Sequence, residues 1–310
     1  MPSFRLAALA LPAVTLAAFA ACQEAPARPP REFDGARALE YAAQQVAFGP
    51  RVPNTDGHRR QAAWLDSLLR QRADTVIVQA WTHVTAKGDS LALTNLIARF
   101  RPDASRRLLF LAHWDTRPYS DGPNAKQKNV PVPGANDGAS GVAVLLGVAD
   151  ALKRTPPTIG VDLLFVDGED YADFGTEAND VLIGSRYYGT HQVPGPKPEY
   201  AVLFDMVGDR DLRIAPEGNS LIAAPEIMTM IWKTAKLVGH DNVFVDGQGT
   251  SLTDDHMELQ KAGIRAVDVV DFDYPYWHTG EDTMDKISAA SLGVVGDVAM
   301  ALVRRGLDGH

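Results

Sequence analysis

The sequence predicts an α/β domain built on a largely parallel central sheet. Short, solidly apolar runs at 108–112, 161–166, 201–204 and 264–270 have the texture of strands buried on both faces. Between them lie longer segments whose apolar residues recur at helical spacing. Acidic and histidine residues gather just after the apolar runs, where an open α/β sheet carries its ligand site.

The elements follow in order. Residues 36–47 have helical spacing. Thr55-Asp56 then precedes a run in which Trp64, Leu65, Leu68 and Leu69 share one face, so a capped amphipathic helix is expected. Residues 76–78 and 91–98 read as strands, and 108–112 as a buried strand. Residues 138–152 read as a helix with Val142, Leu145, Leu146 and Ala149 on one side. The buried strand at 161–166 is followed by a helix over 181–190 and a strand over 201–204. Residues 227–237 and the stretch after Asp255 read as helical, and 264–270 as a strand. Leu292, Val295, Ala299 and Leu302 make 287–303 the closing helix. No internal repeat and no linker to a second domain interrupts this alternation.

The N-terminus has a different character. Arg5 is the only charge before Glu24, and residues 6–21 are apolar and small. That is the length of a signal segment, and short for a membrane span. The run ends in Phe19-Ala20-Ala21-Cys22, which resembles the lipobox of bacterial lipoproteins. A plain signal peptide cut near Ala20-Ala21 is the alternative. The expected organisation is a signal peptide over 1–21, a lipidated Cys22 with a Pro/Ala-rich tether over 22–33, and a single domain over 34–310. Export to the bacterial cell envelope, anchored through Cys22, follows.

Cys22 is the only cysteine, so no intramolecular disulfide forms and any metal site must use His, Asp and Glu. The 310 residues are 45% hydrophobic and 22% charged, ordinary for a globular chain. A formal net charge of −9 argues against a nucleic-acid partner, because nothing would neutralise the phosphates.

The chemistry lies at the strand ends. The strand at 108–112 runs into His113-Trp114-Asp115, that at 161–166 into Asp167-Gly168-Glu169-Asp170, and that at 201–204 into Asp205. The strand at 264–270 is followed by Asp271 and Tyr276-Trp277-His278-Thr279. Gly134-Ala135-Asn136-Asp137-Gly138-Ala139-Ser140-Gly141 precedes a helix. Taken singly, each has a bland role. Asp137 would cap the helix, His113 would be a core histidine, Glu169 and Asp170 a solvated loop, and His278 would pack under Trp277. Together they form a set of carboxylates that would repel one another after burial unless a cation sat among them. Histidine and carboxylate ligands without thiolate suit catalytic Zn²⁺. Glu169, beside a ligating Asp170, is then placed to act as general base and acid.

These residues resemble the single-chain zinc aminopeptidases and their relatives, the glutaminyl-peptide cyclotransferases. The resemblance covers 48–303, and its further markers are Leu203-Phe204-Asp205 and Thr253-Asp254-Asp255-His256. It implies a three-layer α/β/α sandwich on a mixed, mainly parallel sheet, acting on peptide or protein N-termini. In the aminopeptidases two zinc ions are bridged by the match of Asp137. One also takes the matches of His113 and Asp205, the other those of Asp170 and His278. In the cyclases one zinc is held by the matches of Asp137, Asp170 and His278. In both, Glu169 matches the proton carrier.

The resemblance leans toward the cyclases. Aminopeptidases usually carry serine where Asp254 stands, and in cyclases the matches of Asp254 and Asp205 form an acidic network beside the reacting amide. Trp277 before His278 resembles the indole that borders the cyclase pocket. His113-Trp114-Asp115-Thr116-Arg117-Pro118 and Glu169-Asp170-Tyr171 look like bacterial cyclases. Animal cyclases carry a pocket tryptophan where this chain has Ala172-Asp173-Phe174-Gly175, so Phe174 or Trp114 is expected to replace it. Asp268 stands where they have histidine. The expectation is a zinc cyclase forming pyroglutamate from N-terminal glutamine. A two-zinc aminopeptidase is the first alternative, and a non-catalytic peptide-binding surface lipoprotein the second. His58, His83, His191, His240 and His310 are read as surface residues, and His256 as a buttress.

Overall fold

The computed structural model of the chain describes residues 2–3, 31–191 and 193–306. The described residues from Arg31 onward form one compact unit. The apolar segment at 6–21, Cys22 and His310 lie outside the described residues, so the signal and anchor expectations are not addressed there.

Two helices precede the sheet. The first, α1 (Gly35–Ala47), is capped by Asp34, whose carboxylate accepts the Arg37 N–H at 3.0 Å. The second, α2 (Asp56–Arg70), starts at the expected Thr55 cap and buries Leu65 and Leu69, with Trp64 and Leu68 partly buried beside them. The strands β1 (Thr75–Val84) and β2 (Ser90–Phe100) pair antiparallel, both longer than their apolar runs suggest. Then come β3 (Arg107–His113), α3 (Ala139–Arg154), β4 (Gly160–Val166), α4 (Ile183–Thr190) and β5 (Ala201–Asp205). The chain continues through α5 (Gly218–Ala223), α6 (Pro225–Leu237), α7 (Asp255–Lys261), β6 (Ala266–Val270) and α8 (Ala289–Arg305).

The six strands lie in the order β1-β2-β4-β3-β5-β6. The pairs β4–β3, β3–β5 and β5–β6 are parallel, and β1–β2 and β2–β4 antiparallel, which makes the sheet mixed and mainly parallel as expected. Side-chain alternation assigns the layers. Leu108, Phe110 and Ala112 of β3 join a core with α1, α3, α6 and α8, whereas Leu109 and Leu111 join one with Tyr188 of α4 and Leu259 of α7. Both faces are covered, so the central strands are apolar throughout and read as solid runs.

One glycine sets how closely a helix meets the sheet. A Cβ at Gly141, in the first turn of α3, would lie 2.0 Å from the Phe204 carbonyl oxygen. Only glycine lets α3 settle against the end of β5, and the loop before α3 is thereby carried to the carboxyl ends of β3 and β5. Among the described residues no helix is long and apolar enough to cross a membrane.

Candidate metal centre and its pocket

His113 ends β3, Asp205 ends β5, and Glu169 and Asp170 lie in the turn after β4. Asp115 holds that turn: its carboxylate accepts the N–H groups of Glu169 and Asp170 at 3.1 and 3.2 Å. Asp137 comes from the loop before α3, where Asp282 accepts the N–H groups of Asn136 and Asp137 at 2.9 and 3.1 Å. The Tyr274 hydroxyl donates to Asp282 at 2.6 Å and fixes it in turn. The peptide between Asp137 and Gly138 is cis. Gly138 is the N-cap of α3 and makes no side-chain capping bond, so Asp137 is not the helix cap. A Cβ at Gly138 would lie 2.6 Å from the His113 ring, which explains the small residue there.

These side chains meet in two trios that share Asp137: His113–Asp137–Asp205 and Asp137–Asp170–His278. His113 Nε2 lies 3.1 Å from Asp137 Oδ1 and 3.3 Å from Asp205 Oδ1. His278 Nε2 lies 3.3 Å from Asp170 Oδ1 and 3.8 Å from Asp137 Oδ2. All five side chains are buried. His278 adopts a positive φ of 54°, rare for a residue with a Cβ, as the loop brings its ring inward.

Charge in this site is poorly compensated by protein. Burial pushes Glu169 well above the usual carboxylate range, and Asp170, Asp254 and Asp255 add to it against the pull of His113. Burial also raises Asp137, helped by Asp170 and Asp205. Burial and the neighbouring Asp205 and Asp255 raise Asp254 well above its ordinary value. Burial alone would lower His278, but Asp170, Asp121 and Asp137 outweigh it and push the imidazole up to about 9. Asp170 Oδ2 is buried and has no hydrogen-bond partner. A carboxylate with one orphaned oxygen, a shared aspartate and an imidazole nitrogen together make a donor set that fits a divalent cation of the zinc type.

A cavity of about 300 Å³ opens beside the trios. Glu169, Asp205 and Asp254 line its acidic end, and Phe174, Phe272 and Trp277 its apolar wall. The Trp277 indole stacks on the His278 ring at 3.9 Å between centroids and meets Phe272 edge-on at 5.1 Å.

The structure thus brings together Asp137, Asp170, His278, His113, Asp205, Glu169, Asp254, Trp277 and Phe174. Trp114 is the exception and corrects the expectation of a pocket role. It is fully buried away from the cavity, donates from Nε1 to the Thr94 carbonyl at 3.1 Å and stacks on His58 at 4.4 Å. His58 and His240 are not surface residues either. His58 is buried with Nε2 at 2.9 Å from Asp167, and His240 is buried with Nε2 at 3.0 Å from Asp297. His83 is half-buried against Asp180 at 2.8 Å, whereas His191 is exposed as expected. His256 is fully buried, 3.4 Å from Glu217. Sequence reasoning missed Asp121 and Asp282, which support ligands rather than follow strands. The one available signal was Arg117 four residues before Asp121.

Fold and site together define a zinc-exopeptidase-like α/β protein, with the ligand trios at the carboxyl ends of parallel strands. Within that class, the chain belongs to peptidase family M28, whose sequence profile matches residues 95–303. Glutaminyl cyclase from Bacteroides thetaiotaomicron superposes with a TM-score of 0.84 at 34% identity, over 88% of this chain and 98% of that one. Glutaminyl cyclase from Tannerella forsythia gives 0.84 at 35% identity, over 88% and 99%. Aminopeptidase YwaD from Bacillus subtilis is 24% identical over 294 residues, 88% of this chain. The chain spans only 57% of that relative's length.

Proposed function

We propose that this enzyme is a glutaminyl-peptide cyclotransferase, closing N-terminal glutamine to pyroglutamate with release of ammonia. The observation that carries the reading is Asp254 beside Glu169 at the acidic end of a small cavity walled by Trp277. A hydrolase needs room for an attacking water beside the scissile carbonyl. A second buried acid instead suits a reaction in which a proton moves between two nitrogens of one residue.

Asp137, Asp170 and His278 are the residues that would hold a single zinc ion, since Asp170 Oδ2 lacks any protein partner. Zinc bound there supplies Lewis acidity toward the γ-carbonyl of the substrate. Trp277, Phe272 and Phe174 enclose the glutamine side chain and keep bulk water away. Glu169 takes a proton from the α-amine as its nitrogen bonds to the carbonyl carbon of the side-chain amide. It returns that proton to the amide nitrogen as the C–N bond breaks, so ammonia leaves and no water is consumed. Burial raises Glu169 and so strengthens its hold on a proton, which suits a group that takes one up and hands it on. Asp254, raised by burial and its acidic neighbours, lies at the same end of the cavity to hydrogen-bond the reacting amide.

The His113–Asp137–Asp205 trio favours a second reading, a two-zinc aminopeptidase. A Gln-initiated peptide separates the two. The cyclase yields ammonia and a blocked peptide of unchanged length, and free glutamine with a shortened peptide would refute it. The apolar run before Cys22 further supports export and lipid anchoring. Cys22→Ser should move the protein from the membrane fraction to the soluble one, and an unchanged distribution would count against the anchor.

A further inference from the structure

The two trios are alike in their inner ligands and differ in what stands behind them. His278 Nδ1, the nitrogen turned away from Asp170, lies 3.1 Å from Asp121 Oδ1. Asp121 is in turn held by Arg117, whose Nε donates at 2.7 Å and whose second amine donates at 2.5 Å. The remaining Arg117 amine donates to Asp170 Oδ1 at 2.7 Å and to the Ala172 carbonyl at 2.9 Å. A single buried guanidinium therefore ties both non-shared members of one trio, Asp170 directly and His278 through Asp121. Gly122 closes the loop onto His278: its N–H donates to the His278 carbonyl at 3.0 Å, and a Cβ there would lie 2.1 Å from the Trp277 carbonyl oxygen.

Behind the other trio the outer contacts are longer and, among the described residues, no guanidinium links its members. His113 Nδ1 is buried without a hydrogen-bond partner, with Asp115 at 3.6 Å and Glu169 at 3.7 Å. A metal-binding histidine normally donates its outer N–H to a carboxylate or carbonyl, which fixes the tautomer and strengthens the ligating nitrogen. His278 has that support at 3.1 Å, whereas the carboxylate behind His113, Asp115, stands off at 3.6 Å.

We infer that Arg117 and Asp121 are positioning residues that make Asp137–Asp170–His278 the tight metal site and leave His113–Asp137–Asp205 the weak one. Arg117 fixes Asp170 through Oδ1, the oxygen 3.3 Å from His278 Nε2, while Oδ2 keeps no protein hydrogen bond. Asp121 accepts the Nδ1 proton of His278 and leaves Nε2 with its lone pair free. The inference rests on the proposed one-zinc reading and gives it a source within this chain.

The test is zinc affinity, measured by competition with a chromophoric chelator, with the visible spectrum of the cobalt(II)-loaded protein as a second readout. Asp121→Ala and Arg117→Met should each weaken the tight zinc by about 10–100-fold and alter the cobalt bands. Asp121→Asn, which can still accept from Nδ1, should recover part of the affinity and much of the wild-type spectrum. If Asp121→Ala fails to fold, Asp121→Asn alone carries the test through its expected severalfold loss. His113→Ala should leave the first zinc bound more tightly than either Arg117→Met or Asp121→Ala does. Wild-type affinity and spectrum in the Arg117 and Asp121 variants would overturn the inference while leaving the one-zinc reading intact. A wild-type protein that binds no zinc, or two ions equally tightly, would overturn that reading itself.

Discussion

At the scale of single residues, Glu169 and Trp277 separate chemistry from binding. Glu169 touches neither trio as an inner ligand, so Glu169→Gln should keep its zinc while turnover falls by about 10²–10⁴-fold. Metal analysis beside the rate measurement checks both halves, and comparable turnover in the variant would remove its assigned role. Trp277 lines the cavity and makes no hydrogen bond needed for proton transfer. Trp277→Ala should raise KM by about tenfold, about 1.4 kcal/mol, and alter kcat less. A fall in kcat alone would mean that the indole acts in the transition state. The residues that meet in the two trios were legible in the sequence because each follows a buried strand or a glycine-rich turn. Asp121 and Asp282 were not, since they lie in irregular loops and their meaning comes from distant partners, His278 and the Asn136–Asp137 backbone. Trp114 was misread because a tryptophan next to a candidate ligand looks the same in sequence whether its ring faces the cavity or the core.

At the scale of elements, helices and strands with long apolar repeats were legible to within a few residues. The short α5 was not, having only six residues and no periodicity of its own. It depends on Glu217, whose carboxylate accepts the N–H groups of Asn219, Ser220 and Leu252 at 2.8, 2.6 and 2.8 Å. Burial would raise Glu217, but His256, Ser220 and these backbone donors hold it down at about 2. A depressed carboxylate stabilises the fold above its unfolded value near 4.5 and loses that contribution as pH falls through about 2. The contribution is up to about 3 kcal/mol. Glu217→Gln should therefore be less stable at pH 6 by urea unfolding, with the gap to wild type narrowing toward pH 3. A gap independent of pH would assign the loss to packing instead. Gly141→Ala tests the approach of α3 to β5. Overpacking against the Phe204 carbonyl should cost about 1–3 kcal/mol, and each kcal/mol lowers Tm by about 2–4 °C in a chain of this size. An unchanged Tm would mean that α3 adjusts freely.

At the scale of the whole molecule, four strand ends far apart in sequence are bound into one site, and a cation is the natural closure for their charge. Folding and metal binding are therefore linked. Zinc at about 100 times its dissociation constant should add about 2.7 kcal/mol to the stability of the metal-free protein. Identical melting with and without zinc would contradict a preformed site. The layered architecture was legible because burial on both faces makes strands solidly apolar. The choice between one ion at Asp137, Asp170 and His278 and two ions that add His113 and Asp205 was expected only from the resemblance, and the proposed part of Arg117 and Asp121 in it had no signal in the apolar pattern.

The central claim joins one metal ion to ring closure. Titrating the metal-free protein with zinc, and following a Gln-initiated peptide by mass spectrometry at each addition, tests both at once. The account predicts that loss of ammonia from an otherwise intact peptide reaches its maximum at one zinc per chain. Free glutamine appearing only as a second equivalent binds would contradict it.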